Sequence, residues 1–329
     1  MYWNTRADDL VVKAMIGLLE RNPQIPKDRY DDVAIAATTQ QGDQGLTLGR
    51  TAALLAGLPK SVPGYAIDRM CAGAMTSVTT IAGGIAFGAY DVGIAGGVEH
   101  MGRHPMGFGA DPNPRFLAEK LVSADALNMG NTAERIHDRF PQLTKERADR
   151  FAMGSQQKAS AAQDAGKFKD EIVGVSIPQR KGDPVVFDTD EGVRAETTLD
   201  SLGALRPAFD KAGNITAGNA SQISDGGAAV VVASAAAAER IGGDPLGRIV
   251  SFGEVAGPDA SLLTQPSRSI LQALERAGKT VGDVDLFELN EAFAAVGVAS
   301  MKDLGVSDDI VNVNGGAIAL GHPIGMSGT

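Results

Sequence analysis

The hydrophobic residues of the first hundred positions form short apolar runs that alternate with segments of helical spacing. Runs of about four to eight apolar residues predict buried strands, and an apolar stripe at helical spacing predicts a helix. The predicted order is helix Leu10–Arg21, strand Val33–Thr38, helix Leu46–Leu58, strand Val62–Ile67, a helix with apolar residues from Ala72 to Ile85, and strand Asp91–Gly96. Strands that alternate with helices favour a right-handed parallel sheet with functional residues at the carboxyl ends of its strands.

The residue composition of the chain changes after Gly102. Residues 103–220 are richer in polar residues, and they contain two predicted helices, Asn131–Phe140 and Thr144–Ala165, and a predicted strand, Glu171–Pro178. A turn-rich segment with several glycines follows. Long loops in compact proteins are usually functional or disordered, and glycines let a ligand approach the backbone closely. We therefore interpret residues 103–220 as an inserted region that contributes to ligand binding.

From Gly247 onwards, after a further strand and helix, the chain repeats the order of elements seen between Asp31 and Gly97. The predicted elements are strand Ala228–Ser234, helix Ala235–Ile241, strand Arg248–Phe252, helix Pro266–Ala277, strand Val284–Glu288, helix Ala292–Leu304 and strand Ile310–Asn314. Each half of the chain places polar residues at the end of a strand. This pattern predicts a duplicated fold with one site between the two halves.

Composition and charge narrow the class of protein. The chain has 329 residues, of which 43% are hydrophobic, 5% are aromatic and 41 are glycine, which is typical of closely packed α/β proteins. A net charge of −10 argues against nucleic-acid binding, although a local basic pocket can still receive a small anion. A single cysteine is typical of a protein in a reducing compartment. The sequence contains no Cys/His cluster of the kind that would predict a metal site.

The N-terminal residues lack the basic and apolar regions of a signal peptide, and no run of about 18 uninterrupted apolar residues predicts a membrane span. We therefore expect a cytoplasmic protein without a membrane-spanning segment.

Cys71 is the first candidate for chemistry, because it falls between a predicted strand and a predicted helix. Free amides at the start of a helix favour an anion, and we expect them to lower the pKa of the thiol into the range of about 3.5 to 7.5. The alternative is that Cys71 is a small buried hydrophobic residue.

Two polar residues of the second half are further candidates. Asn290 directly follows a predicted strand, where its amide either donates to an oxyanion or caps the next helix. His322 lies in a glycine-rich loop with no helical face to pack, which favours a base or an oxyanion donor over a core residue. His100 and His104 are weaker candidates for catalytic residues.

Five segments together resemble the thiolase family: RMCAGAMTSV, GGVEHMG, LRPAFD with TAGNAS, NEAFA and GGAIALGHPIG. They occur in the family's order along essentially the whole chain. The resemblance implies that Cys71 takes an acyl group from coenzyme A, that His322 helps activate it, and that Asn290 holds a water of the oxyanion hole. It also implies a duplicated five-layer αβαβα fold with an inserted loop domain. The domains are then 1–102, completed by 221–246, for the N-terminal half, 103–220 for the loop domain that binds coenzyme A, and 247–329 for the C-terminal half.

The resemblance implies no permanently bound cofactor, since coenzyme A is a substrate. The positions that match the family's coenzyme A contacts are Met129, Arg194, Leu205, Ala208, Phe209, Ala217, Ala220, Ser221 and Phe293. Of these, Arg194 is a candidate partner for the adenine end, and Ser221 is a candidate hydrogen-bonding partner for the pantetheine amides.

The family has a second catalytic cysteine in a CxGGG-type motif near its C-terminus, whereas this sequence ends at Thr329 with Cys71 as its single cysteine. We expect this chain to be either an incomplete part or a truncated product of a longer protein. Asn128, in a position where acetoacetyl-CoA enzymes often carry histidine, favours a general 3-ketoacyl-CoA thiolase of fatty-acid β-oxidation. The alternatives are an acetoacetyl-CoA thiolase, or a non-catalytic acyl-CoA binding subunit. The expected partners are acyl-CoA substrates, further copies of the chain in a homodimer or homotetramer, and a β-oxidation multienzyme complex.

Overall fold

The computed structural model describes residues 2–179 and 181–329. The helices are α1 (Ala7–Arg21), α2 (Leu48–Leu55), α3 (Gly73–Phe87), α4 (Arg115–Ala118), α5 (Met129–Arg139), α6 (Lys145–Asp164), α7 (Leu199–Gly203), α8 (Ala235–Ile241), α9 (Gln265–Arg276), α10 (Ala294–Leu304) and α11 (Ala317–Leu320). The strands are β1 (Asp32–Ala36), β2 (Tyr65–Ile67), β3 (Val92–His100), β4 (Val175–Ile177), β5 (Val185–Phe187) and β6 (Asp225–Ala233).

A mixed four-stranded sheet with the order β2-β1-β3-β6 forms the centre of the first half. Strand β1 runs parallel to β2 and β3, with Ile35 opposite both Ala66 and Gly96. Strand β6 is antiparallel to β3 over the whole length of both strands. The parallel sheet predicted for the three strands of the first hundred residues is therefore confirmed. Strand β6 adds an antiparallel fourth strand, because it arrives from the long inserted region rather than through a strand–helix–strand crossover.

The residues of this sheet alternate between two apolar layers, as expected for strands covered on both faces. Val33, Ile35 and Ala37 pack in one cluster with helices α1 and α2. Ala34 and Ala95 face the other way and pack with Ile81 of α3. The sheet therefore lies between α1 and α2 on one face and α3 on the other.

A second apolar cluster unites the inserted region with the last hundred residues. It contains Ile136 of α5, Phe151 of α6, and Ala295 and Ala299 of α10. Helix α6 begins after Thr144, whose side chain accepts a hydrogen bond from the Arg147 amide as an N-cap. The inserted region is thus packed against the second half of the chain.

The helices predicted in the second half are confirmed and the predicted strand Ala228–Ser234 corresponds to β6, but the three later predicted strands are not formed as ladders. Among the described residues, the three predicted segments 248–252, 284–288 and 310–314 show one parallel bridge, between Phe287 and Val311. Ile249 and Val250 are 47% and 65% exposed. An apolar run forms a strand only where another backbone lies beside it, and residues 248–252 have no such ladder here.

One helix among the described residues, spanning Met70–Phe87, is long and apolar enough to cross a membrane by length and composition, with a mean hydropathy of 1.4. It includes α3 and packs through Ile81 against the central sheet. The expected lack of a membrane span stays a prediction.

Candidate active site

Cys71 lies in the tight turn that joins β2 to α3. Strand β2 ends at Ile67, the Asp68 side chain accepts a hydrogen bond from the Met70 amide at 2.9 Å, and Met70 has a left-handed φ of 47°. A short 3-10 turn, Met70–Ala72, then leads directly into α3. The chain therefore presents a free, half-buried thiol between a strand end and a helix start, as predicted.

His322 lies beside this thiol, although the two residues are far apart in the sequence. Its Nε2 atom is 3.2 Å from the Sγ atom of Cys71. Its Nδ1 atom is 2.6 Å from the hydroxyl oxygen of Ser327, and that hydroxyl donates to the Pro323 carbonyl at 2.9 Å. Because the hydroxyl has only one hydrogen to donate, Ser327 accepts from Nδ1–H. The lone pair of Nε2 then faces the thiol, which is the arrangement of a base.

Asn290 completes the group. Its Nδ2 atom is 3.2 Å from His322 Nε2. The alternative role of a helix cap is not what the structure shows, because α10 begins at Ala294 and is preceded by Phe293. The structure therefore brings together all three residues that the sequence singled out for catalysis.

The backbone on both sides of Asn290 is held by buried side chains. Asn312 accepts a hydrogen bond from the Leu289 amide at 2.7 Å and donates to the Leu289 carbonyl at 2.9 Å. Its amide also donates to the buried Glu291 carboxylate at 2.7 Å, and Glu291 accepts a further bond from Ser155 at 2.6 Å. These contacts fix the direction in which Asn290 leaves the backbone.

Burial favours the neutral forms of both reactive groups. It raises the pKa of the Cys71 thiol to about 11, and the charge of Glu99 acts in the same direction. Burial also lowers the pKa of His322 to about 4. The expectation of a lowered thiol pKa is wrong, because desolvation of the thiolate outweighs the backbone hydrogen bond at the start of the helix. The resting pair is a neutral thiol beside a neutral imidazole.

Two family models cover nearly the whole chain. The model described as Thiolase, N-terminal domain matches residues 1–236, and the one described as Thiolase, C-terminal domain matches residues 243–329. The chain belongs to the thiolase family. It is therefore an acyltransferase, and its α/β fold with a mixed sheet between helices is consistent with the thiolase fold.

Several curated thiolase-family proteins resemble this chain over most of their length. It is 42% identical over 330 residues to a 3-ketoacyl-CoA thiolase of Aeromonas hydrophila, covering 99% of this chain and 84% of that protein. It is 42% identical to a probable acetyl-CoA acyltransferase of Staphylococcus epidermidis, covering 93% of this chain and 80% of that protein. It is 44% identical to a probable acetyl-CoA acetyltransferase of Mycolicibacterium smegmatis, covering 97% of this chain and 84% of that protein.

Five of the nine residues expected to contact coenzyme A in this thiolase lie near one another. The rings of Phe209 and Phe293 meet edge to face with their centroids 6.1 Å apart. Ala220 forms a β-bridge with Phe293, and the Ser221 amide donates to the Ala292 carbonyl at 3.0 Å. Met129 packs against the same apolar cluster as Phe293. We call Met129, Phe209, Ala220, Ser221 and Phe293 the aromatic patch.

The other four expected coenzyme A residues have different positions. Leu205, Ala208 and Ala217 belong to the loop between α7 and β6, where the Ala208 amide donates to the Ile215 carbonyl at 2.8 Å. The amide of the exposed Arg194 donates to the side chain of Gln156 at 2.7 Å. Gln156 in turn donates to the carbonyl of Ile318, four residues before His322.

The two weaker histidine candidates are each paired with a carboxylate. Buried His100 lies 3.2 Å from Asp225 through Nδ1 and 3.0 Å from the Tyr2 carbonyl through Nε2. Although burial lowers the pKa of His100, its hydrogen bond to Asp225 prevails and raises that pKa. His104 hydrogen-bonds Asp43. These contacts explain both residues as parts of the folded core.

Ser327 and Asn312 are two residues of the site that were not predicted from the sequence. Ser327 is separated from His322 by only four residues in the same glycine-rich loop. This short spacing could have identified Ser327 as a hydrogen-bonding partner of the histidine. The contact of Asn312 with Leu289 joins residues 23 positions apart and has no local pattern.

Proposed function

We propose that this thiolase transfers acyl groups between coenzyme A and Cys71 as a 3-ketoacyl-CoA thiolase. The observation that carries the proposal is the 3.2 Å contact between His322 Nε2 and Cys71 Sγ, with Nδ1 occupied by Ser327. A thiol that is neutral at rest becomes a nucleophile when a positioned base takes its proton. His322 is in that position.

The acyl-transfer step can be written with the residues of this site. The thiol proton of Cys71 moves to His322 Nε2 as the sulfur attacks the carbonyl carbon of an acyl-CoA. The tetrahedral intermediate collapses, its bond to the coenzyme A sulfur breaks, and the departing thiolate takes the proton from the imidazolium. The products are acyl-Cys71 and free coenzyme A.

Cleavage of a 3-ketoacyl-CoA uses the same nucleophile. The Cys71 sulfur attacks the keto carbon as its proton moves to His322, the carbon–carbon bond breaks, and the leaving acetyl-CoA carbon gains one proton, so that the thiol proton of Cys71 balances the step. In the thiolase family, the second catalytic cysteine donates this proton. The acyl group then passes from Cys71 to the thiol of an incoming coenzyme A.

Asn290 is the proposed stabiliser of the oxyanion. Its side-chain amide lies at the same Nε2 atom as the thiol, so it is close to the carbon that Cys71 attacks. A fixed donor near developing negative charge lowers the barrier because it requires no reorganisation during the reaction.

The aromatic patch is the proposed binding surface for the pantetheine part of coenzyme A. Phe209 is 46% exposed beside the buried Phe293, so it offers an apolar surface to a ligand. We assign Leu205, Ala208 and Ala217 to the rim of this surface and Arg194 to the adenine end.

The direction and setting of the reaction belong to the same proposal. The names of the relatives include both a 3-ketoacyl-CoA thiolase and a probable acetyl-CoA acetyltransferase, and we place this chain with the first, in fatty-acid β-oxidation. The resemblance to thiolases supports a homodimer or homotetramer and a β-oxidation multienzyme partner, and the single cysteine supports a cytoplasmic location.

Turnover with 3-ketoacyl-CoA and coenzyme A tests the function. We expect the 3-ketoacyl-CoA to be consumed and acetyl-CoA to be formed, and we expect Cys71→Ala and His322→Ala to abolish nearly all of this activity. If an acetoacetyl-CoA substrate alone were turned over, the acetyltransferase assignment would replace the first one. Binding of acyl-CoA without any transfer would contradict both.

A further inference from the structure

Glu99 is a buried carboxylate near the end of β3, and the mechanism above assigns it no task. It lies in the GGVEHMG segment and is 1% exposed. Its Oε2 atom accepts hydrogen bonds from the Thr38 amide at 3.0 Å, the Thr38 hydroxyl at 2.8 Å and the Gly325 amide at 2.9 Å. Its Oε1 atom accepts from the Gln44 side chain at 2.7 Å.

All of these contacts come from donors, which suits an ionised carboxylate. A buried charge is costly unless it is satisfied by hydrogen bonds, and bonds to an ionised acceptor are stronger than neutral ones. Thr38 and Gln44 belong to the first half of the chain, whereas Gly325 belongs to the loop that carries His322. Glu99 therefore joins the two parts of the chain that supply the thiol and the imidazole.

Gly325 has no space in which to move closer to the sheet. A Cβ atom at this position would lie 2.8 Å from both the Ala37 Cα atom and the Val98 carbonyl oxygen. On the other side, a Cβ atom on Gly97 would lie 2.1 Å from the Gly325 carbonyl oxygen. The glycine is thus packed directly on the sheet, and Glu99 accepts its amide.

The residues on the two sides of Gly325 are joined by short-range hydrogen bonds. The amides of Met326 and Ser327 donate to the Pro323 carbonyl at 3.0 and 3.1 Å, and Ser327 accepts from His322. Residues 322–327 thus form one compact turn, which we call the histidine turn. A displacement of Gly325 would move the whole histidine turn and the imidazole with it.

We propose that Glu99 is a positioning residue that anchors the histidine turn to the central sheet and so keeps His322 Nε2 within hydrogen-bonding distance of Cys71 Sγ. This inference rests on the proposed function in one respect, since it takes proton transfer between these two atoms as the step that needs precise placement. A misplacement of about 1 Å can cost roughly 100-fold in rate.

The charge of Glu99 has a second consequence for the same pair. It contributes to the raised pKa of Cys71, and it opposes the lowering of the His322 pKa that burial causes. Both effects disfavour the thiolate and favour the imidazolium. Loss of the charge, unlike loss of fold stability, therefore changes the titration of the thiol.

The test compares two variants of Glu99 with a matched buried carboxylate. Glu99→Gln keeps the length and removes the charge, whereas Glu99→Asp keeps the charge and shortens the reach. Asp32→Asn is the control, because Asp32 is also buried in the sheet, at the start of β1, where it accepts from Tyr90 at 2.8 Å. For each protein we would measure kcat and KM for acyl transfer, and the pH dependence of Cys71 alkylation by iodoacetamide.

We expect both Glu99 variants to lose about 10- to 100-fold in kcat with KM changed by less than about twofold. The alkylation midpoint should fall in Glu99→Gln and stay near the wild-type value in Glu99→Asp. Asp32→Asn should match the wild type in kcat and in the midpoint. Equal kcat for Glu99→Gln and wild type, or equal losses in Glu99→Gln and Asp32→Asn, would overturn the proposal.

Two further measurements keep the result decisive. If Glu99→Gln does not fold, Gly325→Ala displaces the histidine turn while Glu99 keeps its charge, because the added Cβ atom would lie 2.8 Å from the Ala37 Cα atom and 2.9 Å from Glu99 Oε2. It should give the same loss of kcat with KM retained. An unchanged kcat in Gly325→Ala contradicts the anchoring role. If the wild type shows no acyl transfer, the proposed function fails, and the alkylation midpoints still decide whether Glu99 acts on the Cys71 thiol.

Discussion

The Nε2 atom of His322 lies 3.2 Å from the Sγ atom of Cys71, and 250 residues separate the two in the chain. The thiol is placed by the junction between β2 and α3, and the imidazole by the histidine turn near the end of the sequence. Because Nδ1 donates to Ser327, Nε2 carries the lone pair, and this atom faces both the Cys71 thiol and the Asn290 amide. In the proposed mechanism, this contact lets Cys71 act as a nucleophile without a preformed negative charge.

The orientation of the imidazole can be tested at Ser327. In Ser327→Ala, Nδ1 loses its acceptor, so the proton is free to move to Nε2 and block the base. If the lost hydrogen bond raises the activation free energy by about 1.4 kcal/mol, kcat falls about tenfold. We expect KM to be unchanged. Ser234→Ala is the control, because Ser234 caps α8 and its loss should lower stability without changing kcat. A wild-type kcat in Ser327→Ala would show that the hydroxyl does not set the tautomer.

The pH dependence of Cys71 alkylation tests the neutral resting pair. Burial raises the pKa of this thiol to about 11, so the thiolate fraction increases only as the pH approaches that value. The rate of reaction with iodoacetamide should therefore have its midpoint near pH 11. At pH 8 the protein should react far more slowly than a cysteine in an unfolded peptide. A midpoint below about pH 8.5, the ordinary value for cysteine, would mean that the site holds a preformed thiolate.

Substitution of Asn290 tests the proposed stabilisation of the oxyanion. Asn290→Ala removes the amide donor beside His322 Nε2, and the expected loss is on the order of 100- to 1000-fold in kcat. Asn290→Asp, which keeps the size but not the donor, should be equally impaired. Coenzyme A binding, measured by calorimetry, should be nearly the same in both variants and the wild type. A change confined to KM would remove Asn290 from the transition state.

The aromatic patch makes a prediction about binding rather than chemistry. Phe209→Ala removes an exposed ring that meets Phe293 edge to face, and the loss of roughly 1 to 1.5 kcal/mol should raise KM for coenzyme A about tenfold. The matched control is Phe187→Ala. Phe187 lies in β5, and its ring meets that of Tyr2 edge to face with the ring centroids 5.2 Å apart. If kcat rather than KM fell in Phe209→Ala, the patch would belong to the catalytic step.

Local sequence patterns were sufficient for the longer helices, but not for the short helices α4, α7 and α11 or for all strands. Helix α8 runs from Ala235 to Ile241 as predicted, because its alanines, its Ser234 cap and Gly242 at its end are all local signals. The segment Arg248–Phe252 has a strand-like composition, yet it forms no ladder among the described residues. Whether an apolar run becomes a strand depends on a distant backbone, which its own residues do not encode.

The catalytic candidates were found because strand ends and glycine-rich loops are local features, and the resemblance to thiolases added their roles. The pKa of Cys71 was predicted in the wrong direction, because its burial depends on residues from both halves of the chain. Glu99 was likewise missed as an anchor, since its contact with the Gly325 amide joins residues 226 positions apart. Such contacts appear only once the chain is folded.

Covalent transfer to Cys71 is the claim on which the rest depends. The most direct measurement is incubation of the purified protein with acyl-CoA, followed by proteolysis and mass analysis of the peptide that contains Cys71. We expect one acyl group on this cysteine in the wild type and a much smaller amount in His322→Ala. A folded protein that carries no adduct, or carries it on another residue, would contradict the assignment of Cys71 as the nucleophile.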